Sequence, residues 1–399
     1  MRILITLVLA LCGAAAQAQT NPAKAPARLI VAFQEDVEKA AREGILSGYG
    51  MKAVDELGAF NAVVAEAPGG KYHPSAMRLM ANPKVLLVEE DFTTNWIKGT
   101  MPSFQATPMP ALHEVMASLP TFVKTDGTDG EIPWGIARVK APEAWATTEG
   151  AGVKVAVIDT GIDCTHPDVA ANCAGGVNYV DSKKPPMDDN SHGTHVSGTI
   201  GAVRDGKGVV GVAPKVRLYA VKVLDAEGSG SLTGIIKGLV WAANNGMQVA
   251  NLSLGAPMGS TFMRLAVTYA KMRGVALMCA AGNDSGSVNY PAAYNGAIAI
   301  AALDSKDKIA YFSSRGPEVK FIAPGVDVLS SVPGGGYDKY SGTSMATPHM
   351  AGLAALAVAR GAKGYDGVLA ALKKAAEPVA GLQPTEQGFG VINAAKLVK

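Results

Sequence analysis

Three short runs carry the residue types needed to attack a carbonyl. Gly342-Thr343-Ser344-Met345-Ala346-Thr347-Pro348-His349 leads into an apolar stretch from Met350 to Ala357, which predicts an exposed serine at the mouth of a helix. A hydroxyl is a poor nucleophile near neutral pH, so it needs an imidazole to take its proton and a carboxylate to orient that imidazole. The run Val155-Ala156-Val157-Ile158-Asp159-Thr160-Gly161 is mostly β-branched and ends in an acid and a glycine. That is the pattern of a buried parallel strand opening at its carboxyl end, where functional side chains collect. Asn190-Ser191-His192-Gly193-Thr194-His195-Val196 supplies two imidazoles. A zinc reading of His192 and His195, with His166 or an acid, lacks the His-Glu-x-x-His pattern and its general-base glutamate.

The elements that must hold these groups alternate strand and helix, the signature of a doubly wound, mostly parallel α/β sheet. The expected strands are 153–159, 217–223, 247–254 and 275–280; the expected helices are 193–203, 235–244, 261–273 and 344–360. Ahead of them lies a smaller α+β unit. Its expected strands are 29–33, 60–65 and 85–88, with helices at 35–46 and 75–80. Between Lys98 and Gly130 the chain is rich in Pro, Thr, Met and Gly with little periodicity, which reads as linker.

Residues 1–18 combine Arg2, an apolar run from Ile3 to Leu11 and the small-residue site Ala16-Gln17-Ala18, which reads as a signal peptide cut after Ala18. Its apolar core falls short of the ~20 residues that span a bilayer. A net charge of +2 gives no reason to expect nucleic acid or an acidic membrane surface as partner. A secreted or periplasmic protein is expected. Of the four cysteines, Cys12 leaves with the signal, and Cys164 and Cys173 share one small loop of an exported chain. Export permits oxidation, so a Cys164 to Cys173 disulfide is predicted, with two reduced thiols as the alternative. Cys279, in a strand-like run, is expected to behave as a small buried hydrophobe.

From about Ile132 to its end the chain resembles the subtilisin-like serine proteases, by the order Asp159, His192, Ser344, each in its own motif. The resemblance selects the first histidine of the pair, His192, as the base facing Ser344, and turns His195 inward. It makes Asn283, in Ala280-Ala281-Gly282-Asn283, the side-chain donor to the oxyanion beside the Ser344 amide. It implies that extended polypeptide substrates lie between Ser229-Gly230 and Ser253-Leu254-Gly255, paired through main-chain bonds. It also implies a structural calcium ion held by Asp168 and Asp205 with loop carbonyls around Lys207 and Val209.

Residues 28–97 resemble the family's ferredoxin-like propeptide, a folding chaperone and intramolecular inhibitor, with residues 85–91 as its final strand. The expected organisation is therefore signal peptide 1–18, propeptide 28–97, linker 98–130 and catalytic domain 131–399, with self-cleavage near Trp96 to Lys98. The expected product is a monomeric, broadly specific serine endopeptidase. A non-catalytic peptide-binding relative and a serine esterase are the competing readings. The Gly-x-Ser-x-Ala sequence and the chain order Asp, His, Ser argue against the esterase fold.

Overall fold

The computed structural model describes residues 27–67, 72–98, 101–102 and 132–399. The expected signal peptide with Cys12, and all of the expected linker except Lys98 and Met101–Pro102, lie outside the described residues. Among the described residues the backbone divides into two compact units, one within 27–56 and 63–90, the other within 57–62 and 91–399.

In the first unit a four-stranded sheet runs in the order Lys52–Leu57, Ala62–Ala67, Ala27–Phe33, Val85–Glu90, with helices Lys39–Gly48 and Tyr72–Met80. The chain order strand, helix, strand, strand, helix, strand gives the ferredoxin-like arrangement. The outer pair is antiparallel, with Leu29 opposite Glu90 and Val31 opposite Val88. Alternate residues Leu29, Val31 and Phe33 share one buried cluster with Val37, Leu46, Val63, Ala65, Leu79 and Val88. That period of two along the strands is what fixes their register.

The second unit is built on a seven-stranded parallel sheet. Its order is Val319–Pro324, Ala297–Leu303, Ala276–Ala280, Val249–Leu252, Lys154–Asp159, Arg217–Lys222, Cys173–Asn178. Six of these strands, all but Cys173–Asn178, are mainly buried along their length, which explains their continuous apolar sequences. The helix Thr343–Ala359 packs on four of the strands and on the helix His192–Gly201. That helix in turn packs on Lys154–Asp159 and on Val328–Val332. Two long helices and one strand end thereby come together from distant parts of the chain, in the doubly wound α/β arrangement expected.

Candidate active site

Asp159 closes the strand Lys154–Asp159, and His192 opens the helix His192–Gly201. Both are buried, and His192 Nδ1 donates to Asp159 Oδ1 at 2.7 Å. The same oxygen accepts the Thr160 backbone N–H at 2.7 Å. Asp159 Oδ2 and His192 Nε2 are buried without a hydrogen-bond partner among the described residues. A buried polar atom left bare costs about 1–3 kcal/mol, a cost also borne at His195 Nδ1 and His349 Nε2.

The two glycines beside these residues are there for space. Gly161 has φ +115°, and a Cβ on Gly193 would collide with the Gly161 carbonyl oxygen. Any side chain at Gly193 would push the helix start away from the strand end.

His195, one turn further along, has a different fate. Its Nε2 donates to Val328 O at 2.9 Å, and its ring stacks on Tyr340 with centroids 4.4 Å apart. Burial first, and then the neighbouring His192, pushes it down to about 3. His349 is likewise driven down to about 4 by burial, with Nδ1 donating to Met345 O at 2.9 Å. His166 donates from Nε2 to Gly336 O at 3.0 Å and accepts the Asp168 N–H at Nδ1. Each of these three rings is engaged in holding backbone.

Ser344 lies in the first turn of Thr343–Ala359, where N–H groups have no acceptor within the helix. It was expected to be exposed, but it is 2 % exposed. The reason is a reciprocal clamp: Ser344 Oγ donates to Ser253 O at 3.0 Å, and Ser253 Oγ donates to Ser344 O at 2.7 Å. Asn251 Nδ2 donates in turn to Ser253 Oγ at 2.9 Å.

Asn283 is half-buried, and its Oδ1 accepts both the N–H and the hydroxyl of Thr343 at 2.8 Å. With the amide oxygen held there, the NH₂ end is the one turned away from Thr343. Thr343 also accepts the Gly282 N–H at 3.2 Å. Sequence reasoning missed Thr343, although its place between Gly342 and Ser344 was the available signal.

The expected substrate edges are also occupied. Thr93, Thr94 and Asn95 pair antiparallel with Ser231, Gly230 and Ser229. Leu232 N–H donates to Phe92 O at 2.9 Å, and Gly255 N–H donates to Trp96 O at 2.8 Å. Trp96 is buried, its backbone N–H reaching Gly228 O at 3.0 Å and its indole N–H reaching Gly230 O at 2.8 Å. Leu254 is buried beside this segment's partner Gly255. Further on, Met101 and Pro102, expected as linker, pair antiparallel with Ser341 and Tyr340. The chain from Thr93 to Pro102 is thus held on both sides of a short central stretch.

The residues expected to bind calcium make other bonds. Asp168 is buried, its Oδ2 accepting the Val209 N–H at 2.9 Å and its Oδ1 accepting the Tyr337 hydroxyl at 3.0 Å. Asp205 Oδ1 accepts the Lys207 N–H at 3.0 Å. Among the described residues no three His, Cys, Asp or Glu side chains are grouped to hold a metal ion. Calcium takes six to eight oxygens; Asp168 and Asp205 meet N–H and hydroxyl donors here, and the carbonyls around Lys207 and Val209 are the further oxygens such an ion would use.

Cys164 and Cys173 form the expected disulfide, with Cα atoms 5.8 Å apart. Cys279 is buried and free, and burial pushes its thiol far up.

These geometries agree with the relationships of the chain. The family model described as Subtilase family matches residues 150–390. The chain is 53% identical over 227 residues to "M-protease" of Shouchella clausii (strain KSM-K16), covering 56% of this chain and 59% of that protein. It is 53% identical over 227 residues to "Subtilisin Savinase" of Lederbergia lenta, covering 56% of this chain and 83% of that one. It is 49% identical over 236 residues to "Subtilisin E" of Bacillus subtilis (strain 168), covering 57% of this chain and 61% of that protein. With more than half of its length matched, and with a serine, a histidine and an aspartate set at the ends of the elements just described, the chain belongs to the Subtilase family of serine peptidases.

Proposed function

We propose that this chain is an exported serine endopeptidase of broad specificity, made as a precursor that cuts itself. The observation that carries the reading is the buried 2.7 Å bond from His192 Nδ1 to Asp159 Oδ1, with Nε2 of the same ring left without a partner. In the proposed reaction the Ser344 oxygen attacks the scissile carbonyl while its proton passes to His192 Nε2. Asp159 holds the tautomer and stabilises the imidazolium. The Asn283 NH₂ group and the Ser344 N–H take the charge that develops on the carbonyl oxygen. Collapse expels the amine, which leaves with the proton from His192, and water then releases the acyl group by the same route in reverse.

Substrate is proposed to pair with Ser229-Gly230 and Ser253-Leu254-Gly255, because backbone pairing gives affinity without demanding one sequence. The chain's own residues 93–96 already use these edges, which supports the pairing mode. The first substrate would be the chain's own segment near Trp96 to Lys98, which follows the residues paired to Ser229–Ser231. Residues 28–97 would then act as propeptide and inhibitor. Among the described residues no helix is long and apolar enough to cross a membrane, and export would rest on the signal-like residues 1–18. No step is assigned to calcium.

The test is the mass of the matured protein with and without Ser344→Ala, together with casein hydrolysis and labelling by a serine-directed phosphonate. Active enzyme beginning after Trp96, and an uncut, unlabelled, inactive Ser344→Ala protein, are the expected results. A Ser344→Ala protein that still matures in isolation and still hydrolyses casein would overturn the assignment.

A further inference from the structure

Thr160 follows Asp159 and is fully buried, and every polar group it owns is engaged around the Asp159 and His192 pair. Its N–H donates to Asp159 Oδ1, the oxygen that also receives His192 Nδ1–H. Its carbonyl oxygen accepts from Lys222 Nζ at 2.6 Å. Its hydroxyl accepts the Gly193 N–H at 2.9 Å and donates to Asp188 Oδ1 at 2.9 Å. The residue after the acid is therefore bonded directly to the residue after the base.

The helix His192–Gly201 explains why such a bridge is needed. Its first N–H groups have no partner within the helix, and a side chain just before the helix ordinarily accepts one of them. Ser191 stands in that place but makes no capping bond, and its backbone is in the left-handed region at φ +106°. Capping comes instead from the strand end at Thr160 and from the loop before the helix, where Asn190 Oδ1 takes the His192 N–H at 3.2 Å. The Thr160 hydroxyl takes the N–H of Gly193, and Asp188 Oδ2 takes the N–H of Thr194 at 2.8 Å and its hydroxyl at 2.6 Å. Asp188 Oδ1 adds the N–H groups of Asn190 and Ser191, both at 3.0 Å.

Lys222 secures the other end. It lies opposite Asp159 in the strand register, is 3 % exposed, and spends its ammonium on Thr160 O, Leu224 O at 2.8 Å and Asp189 Oδ1 at 2.6 Å.

We propose that the Thr160 hydroxyl, seated between Gly193 N–H and the Asp188 carboxylate, is a positioning element of this enzyme that fixes the imidazole of His192 against Asp159. The inference rests on the serine peptidase reading above. Besides the pair's own bond, the hydroxyl is the side-chain group that joins the strand end at Asp159 directly to the helix start at His192, through Gly193 N–H, and small displacements of a base are expensive in rate.

The test compares Thr160→Val, which keeps the shape and removes the hydroxyl, with Thr160→Ser, which keeps the hydroxyl and removes the methyl. Both are read as matured enzyme, in kcat and KM on a peptide substrate, in the pH dependence of kcat/KM, and in the downfield proton resonance of His192 Nδ1–H. Thr160→Val is expected to lower kcat by about ten- to a hundredfold with KM within about twofold, and to move or broaden the resonance. Thr160→Ser is expected to restore both. The proposal is overturned if Thr160→Val keeps the parent kcat and resonance, or if Thr160→Ser fails to restore either. Should Thr160→Val give no folded enzyme, Thr160→Ala takes its place with the same criteria. If the unmodified chain itself hydrolyses nothing, the peptidase reading falls, while the resonance, which needs no turnover, still decides the role of Thr160.

Discussion

Asp159 and Asp168 are both buried carboxylates of the second unit, and their surroundings differ in one decisive respect. Asp168 has a donor on each oxygen, the Val209 N–H and the Tyr337 hydroxyl. Around it His166 packs edge-on to Tyr337, Asp163 Oδ2 takes the Gly334 N–H at 2.9 Å, and the Cys164 to Cys173 bridge closes the loop. That region is a clasp, joining residues 163–173 to 203–209 and to 334–337. Asp159 has two donors crowded on one oxygen and none on the other. A fold seeking stability alone satisfies both oxygens, as at Asp168. His195 Nδ1 and His349 Nε2 are bare as well, but among the described residues only at Asp159 and His192 do a bare carboxylate oxygen and a bare ring nitrogen belong to one hydrogen-bonded pair.

The largest test of this contrast removes the base. His192→Ala is expected to lower kcat by about a millionfold, the scale established for subtilisin's own histidine, with little change in melting temperature. A substitution of His195 should do the reverse, lowering the melting point of a protein that retains the Asp159 and His192 bond. A large loss of stability in His192→Ala would show that the region is structural after all. Next in size, Asn283→Ala should lower kcat about a hundred- to a thousandfold with KM nearly unchanged, the magnitude known for subtilisin's own side-chain donor. An unchanged kcat would remove Asn283 from the mechanism.

The buried histidines set a third expectation. His195 and His349 are pushed down to about 3 and 4 from an ordinary 6.5. The unfolded chain takes up these protons near pH 6.5, while the folded chain resists them. Stability is therefore full above that pH and falls as pH drops, by roughly 2–3 kcal/mol per unit between about pH 6 and 4 with both rings contributing. Unfolding in urea of Ser344→Ala protein, which avoids self-digestion, reads the slope. A flat profile over that range would refute it.

The clasp should respond more mildly. Replacing Cys164 and Cys173 together by alanine should reduce stability by about 2–3 kcal/mol, the chain-entropy value for so short a loop. Tyr337→Phe should reduce it by about 1 kcal/mol, one hydrogen bond, and leave kcat unchanged. A chelator should lower the melting temperature of neither the parent nor Tyr337→Phe. A fall in both would mean that an ion, and not Tyr337, holds Asp168.

Sequence reading succeeded where one physical signal dominates. Val155–Asp159 and Ala276–Ala280 are fully buried strands and announce themselves as apolar runs, although Ala297–Leu303, equally apolar and buried, and Val319–Pro324 were missed. The edge strand Cys173–Asn178 reads Cys-Ala-Gly-Gly-Val-Asn, and the hairpin Val328–Val332 with Gly336–Ser341 mixes serine, glycine and charge, so neither stood out. Lys52–Leu57 escaped because five of its six residues are partly or fully exposed. The candidate residues Asp159, His192 and Ser344 stood out in the sequence because few residue types can perform the roles proposed for them. Thr343, Thr160, Asp188 and Lys222 did not, since threonine, aspartate and lysine occur everywhere and their bonds span distances in the chain that no local pattern encodes. The calcium expectation, drawn from matching positions, overlooked Tyr337, which sits far along the sequence from the Asp168 it satisfies.

The strand Thr93–Asn95 has a kinetic consequence. A sheet edge that is already paired cannot pair again, so on the proposed binding mode a foreign peptide would wait until these three residues let go of Ser229–Ser231. Release from a tethered partner is unimolecular, and diluting or concentrating the newly made protein should leave the delay before its first turnover unaltered.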